Sequence, residues 1–415
     1  MSSFVQRQHR RWLVLIGCIA VNLVSGAPYA TSILKKKIMG FWGITNEQWA
    51  LVFSMMLILW PIGMLLSAGW MDKGAARVLV VCGGILIGLG FWLAGSTKSV
   101  PLLYPSFALA SLGIGFSYGA AVALSVKWFP ERRGLASGLT VGALGFGTAI
   151  IAAVGQWLVE SKGIDVASLL RLFGIAFFLL LIAASVVIAS PPVQLSSSAS
   201  NARGADLPWN KMVLRGRFWL LYLLYVCGTF SGLMVISQTA PIAREMGGMS
   251  AAAAAGVVSA MGLANAAGRV LWGAASDKLG RFTVLVLLFA VTAFSMVNLH
   301  RFADTPAALV PALVILALCF GGFLGTFPSI CADSFGAKNA AVNYALLFTA
   351  FGVSGVLGPK VGAMFGATPA AFTRAFQVAA GVAGVGLVFA LATQLAEIRT
   401  RRTALQISQL ESSEA

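Results

Sequence analysis

Twelve long apolar runs constrain the fold of this chain more than any other feature of its sequence. A run of about 20 apolar residues forms an α-helix long enough to cross ~30 Å of hydrocarbon. Helices are expected because a segment in lipid must satisfy its own backbone hydrogen bonds. The runs lie approximately at 12–34, 48–70, 77–95, 101–126, 134–158, 167–189, 218–243, 250–274, 282–300, 306–331, 339–365 and 370–394. We therefore predict an all-α integral membrane protein with twelve transmembrane helices.

Composition supports a membrane protein and argues against a soluble one. The chain is 59% hydrophobic and 10% charged, whereas soluble domains carry about 25% charged residues. In a soluble protein, the net charge of +16 would favour nucleic acid as a partner. Here most lysines and arginines lie in short connections between apolar runs, which is typical of an inner-membrane protein. We expect the lipid bilayer as a partner, and no nucleic acid.

The sequence has no motif for metal, disulfide or nucleotide chemistry. There is no CxxC pair, no Cys/His cluster and no GxxxxGK[ST] loop of the kind that holds the phosphates of ATP. The cysteines fall in or at the end of apolar runs, as small packing residues do: Cys18, Cys82, Cys227, Cys319 and Cys331. We therefore expect no cofactor, no metal and no catalytic residues, and we do not expect an enzyme.

An internal repeat divides the runs into two sets of six. Asp72 and Asp277 each follow an apolar run and are separated by 205 positions. Phe129 and Phe335, in two other loops, are separated by 206 positions. Two independent loops with nearly the same offset indicate that a six-helix unit has been duplicated.

The repeat, together with the long polar segment between the two sets of runs, predicts the domain organisation. We expect a six-helix bundle at 1–190 and a pseudo-symmetric second bundle at 218–395. A cytoplasmic linker at 191–217, which contains Pro191-Pro192 and a serine run, would join them. A cytoplasmic tail at 396–415 would follow.

The distribution of positive charge predicts the orientation. With the N-terminus inside, lysine and arginine are about twice as frequent in the inside segments as in the outside loops. This predicts a multi-pass protein of the cell inner (plasma) membrane with both termini in the cytoplasm. The run Lys35-Lys36-Lys37 opposes the bias, because it would lie outside. It either attracts anions to an outer vestibule or is an ordinary solvated helix end.

The loop after the eighth run carries a family signature. Gly273-x-x-x-Asp277-Lys278-x-Gly280-Arg281 resembles the loop motif of the major facilitator superfamily, and a degenerate copy surrounds Asp72. The resemblance implies two six-helix bundles and a charge cluster at the cytoplasmic face that regulates conformational change. The implied conformational-switch residues are Asp72, Lys73, Arg132, Arg133, Asp277, Lys278 and Arg281.

A narrower resemblance extends along most of the chain. Several segments are similar to the oxalate/formate antiporter family and related monocarboxylate carriers. They are Lys127–Gly138, Leu214-Arg215-x-x-Phe218-Trp219, Arg269-x-x-Trp272-Gly273, Phe327-Pro328-Ser329 and Asn343-Tyr344. This resemblance implies secondary active transport of a small organic anion by alternating access.

Arg269 is the strongest candidate for binding that anion. It precedes Asp277 by eight residues and therefore lies about 12 Å along the helix from the loop, inside the hydrocarbon span. A guanidinium there is costly unless it meets a cavity, a partner or a substrate. All thirteen acidic residues lie in loops, tails or helix ends, so a carboxylate substrate would supply the missing charge. The alternative is an arginine held by backbone carbonyls. The family resemblance also implies a substrate-binding arginine at this position.

Two further polar residues each have two open interpretations. Asn265 lies four residues before Arg269 on the same helix face, where it either orients the guanidinium or simply packs. Lys360 lies near the outer end of the eleventh run, where it either contacts substrate or extends to the interface. The oxalate carriers have a lysine in the middle of this helix, and Phe351 occupies that place here. A single deep cation favours a monoanion over oxalate.

Aromatic residues at family positions are expected to line the central site. These residues are Tyr29, Tyr118, Phe320 and Phe348, and ordinary packing is the alternative for each. No aspartate or glutamate lies in the middle of an apolar run to relay a proton. Exchange of one carboxylate for another, or co-entry with a proton, is therefore expected.

Together these observations predict a monomeric carrier of small carboxylates such as formate, lactate or pyruvate, with oxalate less favoured. Two alternatives remain open. One is an exporter of a drug or neutral solute with the same fold. The other is a membrane sensor that binds a carboxylate and signals through its tail.

Overall fold

The computed structural model describes residues 2–33, 35–191, 206–366 and 368–414 of the 415-residue chain. Most of the predicted linker, residues 192–205, lies outside these ranges. Fifteen α-helices span most of the described residues: α1 Ser2–Val24, α2 Ala27–Ile33, α3 Lys35–Trp42, α4 Asn46–Asp72, α5 Ala76–Ser96, α6 Val100–Trp128, α7 Arg133–Ser161, α8 Val166–Val187, α9 Trp209–Met212, α10 Gly216–Pro241, α11 Ala251–Leu279, α12 Arg281–Phe302, α13 Pro306–Phe335, α14 Ala340–Met364 and α15 Pro369–Glu414. A π-helical turn, Ile242–Met246, extends α10.

Twelve spans in the described ranges are long and apolar enough to cross a membrane, as the twelve runs predicted. Three of these helices begin with a side chain that caps the first turn. Thr45 forms a capping box with Gln48 at the start of α4, and Asp165 and Ser250 accept hydrogen bonds from the first turns of α8 and α11. The all-α, twelve-helix class is therefore confirmed.

Two boundaries differ from the sequence prediction. The first run is not one helix, because the chain turns at Ser25-Gly26 between α1 and α2. Gly26 lies so close to α7 that a Cβ there would be 2.5 Å from the carbonyl oxygen of Leu144. At the other end, the predicted tail 396–415 continues α15 as far as Glu414. This stretch contains no proline or glycine and is rich in strong helix formers.

The helices pack in two sets that meet along repeat-related seams. In the first set α5 packs on α6 and α8, and α4 packs on α6; in the second α11 packs on α13, α10 on α14 and α12 on α15. Between the sets, α7 packs on α11 and α14 packs on α4. The repeat offset relates these two seams to each other, so the contacts show the pseudo-symmetry that the sequence repeat predicted.

Glycines let α7 approach α11 at backbone distance. A Cβ at Gly134 would clash with the carbonyl oxygen of Gly273, and a Cβ at Gly138 would clash with that of Arg269. Gly142 and Gly145 continue the seam against Val270 and Ala266. The glycines of α7 therefore permit close packing of the two helices.

Replacing Gly138 with alanine is expected to push α7 away from α11. The new methyl group would meet a backbone carbonyl that cannot rotate away, so we expect a clear loss of thermal stability in detergent, of several degrees. Gly256→Ala on α11 is the matched control, because no described atom lies within 4 Å of a Cβ there. A Gly138→Ala protein as stable as the Gly256→Ala protein would contradict the tight seam.

Candidate functional site: a buried arginine above a charged face

One face of the molecule is called here the charged face. It contains the ends of α4, α6, α11 and α13 and the starts of α5, α7, α12 and α14. Asp277, near the end of α11, accepts hydrogen bonds from the backbone N–H groups of Gly134 and Leu135, both at 2.8 Å. These groups belong to the first turn of α7, which has no intrahelical partners for them. A carboxylate at a helix N-terminus is also favoured by the helix dipole. Asp277 therefore joins the two helix sets.

Asp72 makes the repeat-related contact. It accepts hydrogen bonds from the N–H groups of Ala341 and Val342 in the first turn of α14, at 3.3 and 3.1 Å. Lys127 Nζ lies 2.7 Å from the same carboxylate, and its side chain also donates to the carbonyl of Lys338. Each set therefore contributes an aspartate that caps a helix of the other set.

A cluster of four ion-paired residues completes the charged face. Asp333 of α13 lies 2.5 Å from Arg133 of α7 and 2.8 Å from Arg281 of α12. Arg281 also lies 2.7 Å from Asp277. Because the Arg133–Asp333 pair crosses between the sets, the charged face is closed in this structure.

Only some of the predicted switch residues make side-chain contacts in the structure. Asp72, Asp277, Arg133 and Arg281 make the contacts described above. The side chains of Lys73, Arg132 and Lys278 are exposed, and no described hydrogen bond or ion pair involves them. The sequence prediction did not include Lys127 and Asp333 as switch residues. They are separated by 206 positions, so the repeat offset was the signal that could have identified them.

Arg269 lies deep between the sets, on the α7–α11 seam. The residue is 5% exposed. Its Nη1 donates to the backbone carbonyl of Val141 on α7 at 2.8 Å, and its Nε donates to Asn265 Oδ1 at 3.3 Å. Within the described residues it forms no ion pair with an acidic side chain. A backbone carbonyl thus holds one part of the guanidinium and Asn265 orients another, while its charge has no carboxylate partner.

Four tyrosines lie near enough to the guanidinium to interact with its charge. Tyr29, Tyr118, Tyr225 and Tyr344 all lie within electrostatic range of Arg269. The hydroxyls of Tyr225 and Tyr344 are 3.4 Å apart, and Tyr344 also interacts with the hydroxyl of Tyr118. These groups can both donate and accept hydrogen bonds, so they form an environment suited to a small polar anion.

Aromatic rings form the walls beside this polar centre. The ring of Trp60 on α4 lies 5.0 Å from that of Tyr118, and Phe348 on α14 lies 5.8 Å from Tyr118 and 6.4 Å from Trp60. Phe351 stacks on Phe348 at 5.1 Å. Tyr29 lies 6.5 Å from Trp60. The structure thus brings Tyr29, Tyr118 and Phe348 together near Arg269.

Two predicted site residues lie elsewhere. Phe320 packs against Gly232 of α10, and no ring contact within the described residues links it to the rings above. Phe327, two turns further along α13, stacks on Tyr225 at 4.0 Å instead. Lys360 is exposed, twelve residues and therefore about 18 Å along α14 from Phe348.

Trp60, Tyr225 and Tyr344 are site residues that the sequence prediction missed. Trp60 lies within a strongly apolar run, where a tryptophan resembles any other packing residue. The sequence prediction uses Tyr344 only as part of a motif. No spacing pattern marks any of them, because their proximity depends on the packing of different helices.

Comparisons with known proteins agree with this architecture. A family model described as Major Facilitator Superfamily matches residues 9–359. An uncharacterized MFS-type transporter YhjX from Escherichia coli (strain K12) is 26% identical over 350 residues, covering 84% of this chain and 87% of that protein. An oxalate:formate antiporter from Oxalobacter formigenes is 27% identical over 389 residues, covering 92% and 91%.

A match over a shorter segment and two solved structures extend the comparison. Monocarboxylate transporter 12 from Mus musculus is 29% identical over 155 residues, which cover 36% of this chain and 31% of that protein. Among solved structures, the MFS transporter FucP in the outward conformation superposes with a TM-score of 0.67 at 18% identity, covering 92% of this chain and 97% of that one. The human organic anion transporter MFSD10 (TETRAN) superposes with a TM-score of 0.66 at 13% identity, covering 92% and 99%. The chain belongs to the major facilitator superfamily and is a multi-pass membrane transporter.

Proposed function

We propose that this transporter carries small monocarboxylates and that Arg269 binds their carboxylate group. The observation that carries the proposal is a guanidinium buried between the helix sets with no acidic partner among the described residues. An unpaired charge at this depth is unfavourable, and a carboxylate would neutralise it through charge-assisted hydrogen bonds. The similarity to an oxalate:formate antiporter and to monocarboxylate transporters supports the same class of cargo.

The charge balance of the site favours a monoanion. Arg269 is the one cation that the described contacts place among the tyrosines, and Phe351 adds an apolar ring rather than a second charge. A dianion such as oxalate would leave one negative charge uncompensated in a poorly hydrated site, which is strongly unfavourable. Formate, lactate and pyruvate each match the single guanidinium.

Alternating access would move the bundle at 1–190 against the bundle at 218–395 around this site. In the present state the charged face is closed by Asp72, Asp277 and the Arg133–Asp333 pair. Arg269 belongs to the second bundle, and it donates to Val141 of the first. An anion that draws the guanidinium away from Val141 would therefore loosen the same seam that must separate when the charged face opens.

Charge neutralisation also suggests how transport is coupled. An empty carrier would have to bring an uncompensated guanidinium through the occluded state, whereas a loaded carrier would not. Exchange of one carboxylate for another is therefore favoured over net uptake without a counter-substrate.

We further propose that the protein acts as a monomer in the inner (plasma) membrane. The charged face, both termini and the positive loops would lie in the cytoplasm.

The test is uptake into proteoliposomes that contain the purified protein. Radiolabelled pyruvate, lactate, formate and oxalate are supplied outside, with or without unlabelled carboxylate inside. We expect uptake of at least one monocarboxylate, accelerated by internal carboxylate, and little uptake of oxalate. Absence of carboxylate uptake by folded protein would overturn the proposal and favour export of a drug or neutral solute.

A further inference from the structure

We infer that the site takes a monocarboxylate with an apolar body larger than that of formate, and that the indole N–H of Trp60 is a second donor to its carboxylate. This inference rests on the proposed function and specifies its substrate. It combines an unpartnered donor, an aromatic wall and open space on the helix faces that line the site.

The donor is the Nε1–H group of Trp60. The residue is 3% exposed, and its Nε1 is a buried polar atom without a hydrogen-bond partner. A buried N–H without a partner is uncommon, and each such group calls for an explanation. By contrast, Nε1 of Trp42 donates to the carbonyl of Thr97 at 3.0 Å. The free N–H of Trp60 is therefore available to a ligand.

Trp60 and Arg269 border the same part of the site. Tyr118 lies 5.0 Å from the ring of Trp60 and within electrostatic range of the guanidinium of Arg269. The ring of Tyr29 lies 6.5 Å from that of Trp60, and Tyr29 is also within electrostatic range of Arg269. A carboxylate between these groups would receive a cationic donor from α11 and a neutral donor from α4. Two converging donors fix the orientation of the rest of the molecule.

The walls next to this carboxylate position are apolar. Phe348 lies 6.4 Å from Trp60, and Phe351 stacks on Phe348 with nearly parallel rings. Formate has no body to contact these rings, and oxalate would present a second charge to them. Burying an aliphatic or aromatic group against them is favourable, with each methylene contributing to affinity.

Space for such a body lies on the side away from the charged face. Gly262 precedes Arg269 by seven residues and Gly355 follows Phe348 by seven, so each shares a helix face with its site residue, about 10 Å away. No described atom lies within 4 Å of a Cβ built at either glycine. The helix faces that carry Arg269 and Phe348 therefore leave open space at these two glycines, where an apolar body could extend.

The test measures binding to the purified full chain in detergent, because apolar acids cross liposome membranes unaided. Calorimetric titration with formate, acetate, butyrate, benzoate and oxalate gives five dissociation constants. We expect butyrate and benzoate to bind at least about tenfold more tightly than formate, and oxalate to bind no better than formate. A preference for formate or oxalate would overturn this inference and leave the carboxylate carrier standing. Failure of every acid to bind would overturn both.

Two variants separate the donor from the apolar space. Trp60→Phe keeps a ring and removes the N–H, so acetate and benzoate should both bind about tenfold more weakly. Gly355→Leu fills the open space, so benzoate binding should weaken about tenfold while acetate binding stays unchanged. Trp49→Phe is the matched control, since Trp49 lies on the same helix and packs against Phe107. Unchanged acetate binding in Trp60→Phe would show that the indole is not a ligand donor.

Discussion

Arg269→Ala is expected to abolish carboxylate transport while leaving a folded protein. Among the residues that the structure describes, the substitution removes the one guanidinium found near the four tyrosines. Charge-assisted hydrogen bonds contribute about 1.5–3 kcal/mol each, so loss of a bidentate contact should reduce uptake by at least about 100-fold. The arginine has no acidic partner within the described residues, so its removal strands no buried carboxylate and should not lower the melting temperature markedly.

Two further variants make this result specific. Arg269→Lys keeps the charge but not the planar pair of donors, and it should recover only a small part of the uptake. Arg301→Ala removes an exposed arginine at the end of α12 and should transport normally. Wild-type uptake of the best-transported monocarboxylate by Arg269→Ala would contradict the assignment of the anion site.

Asp277→Asn is expected to open the charged face. The carboxylate accepts two backbone N–H bonds from α7 and pairs with Arg281 at 2.7 Å. A neutral amide keeps at most one acceptor oxygen, so it weakens both the helix cap and the ion pair. Together these losses of about 2–3 kcal/mol should shift the balance between states by more than about tenfold and slow transport.

A native cysteine can report this opening. Cys331 is 1% exposed and lies close enough to Asp72 and Tyr225 to interact with both, between the charged face and the tyrosines. With the other cysteines replaced, its reaction with a water-soluble maleimide should accelerate at least about tenfold in Asp277→Asn. Lys278→Gln, at the exposed neighbouring position, should leave the rate unchanged. Equal labelling rates in wild type and Asp277→Asn would show that Asp277 does not hold this face closed.

Local sequence patterns were sufficient to predict the features that depend on a single helix or on the internal repeat. The depth of Arg269 was predicted from its distance to Asp277 along a single helix. In the structure the residue is buried and donates to Val141 of the other bundle. The same reasoning could have found Lys127 and Asp333, whose separation matches the repeat offset. Their pairings with Asp72 and Arg133 are new information, because a repeat gives positions but not partners.

Features that depend on contacts between helices escaped prediction. The turn after Val24 lies where Gly26 meets the backbone of α7. Gly26 and Pro28 are a local signal for a break in the helix, which the prediction of one continuous run did not use. Phe320 was expected at the site, yet it faces Gly232 while Phe327 stacks on Tyr225. Both lie on α13, so the sequence period alone could not choose between them. The unpartnered indole of Trp60 is visible only when all of its neighbours are placed.

A distance measurement across the charged face would show directly whether substrate opens it. Spin labels at Lys73→Cys and Lys278→Cys, both exposed positions on opposite bundles, would be attached after the native cysteines are replaced. Adding the acid that the wild-type protein transports should produce a second, longer distance in wild type and no change in Arg269→Ala. An unchanged distance in the loaded wild type, or the same lengthening in Arg269→Ala, would contradict the claim that an anion on Arg269 releases the charged face.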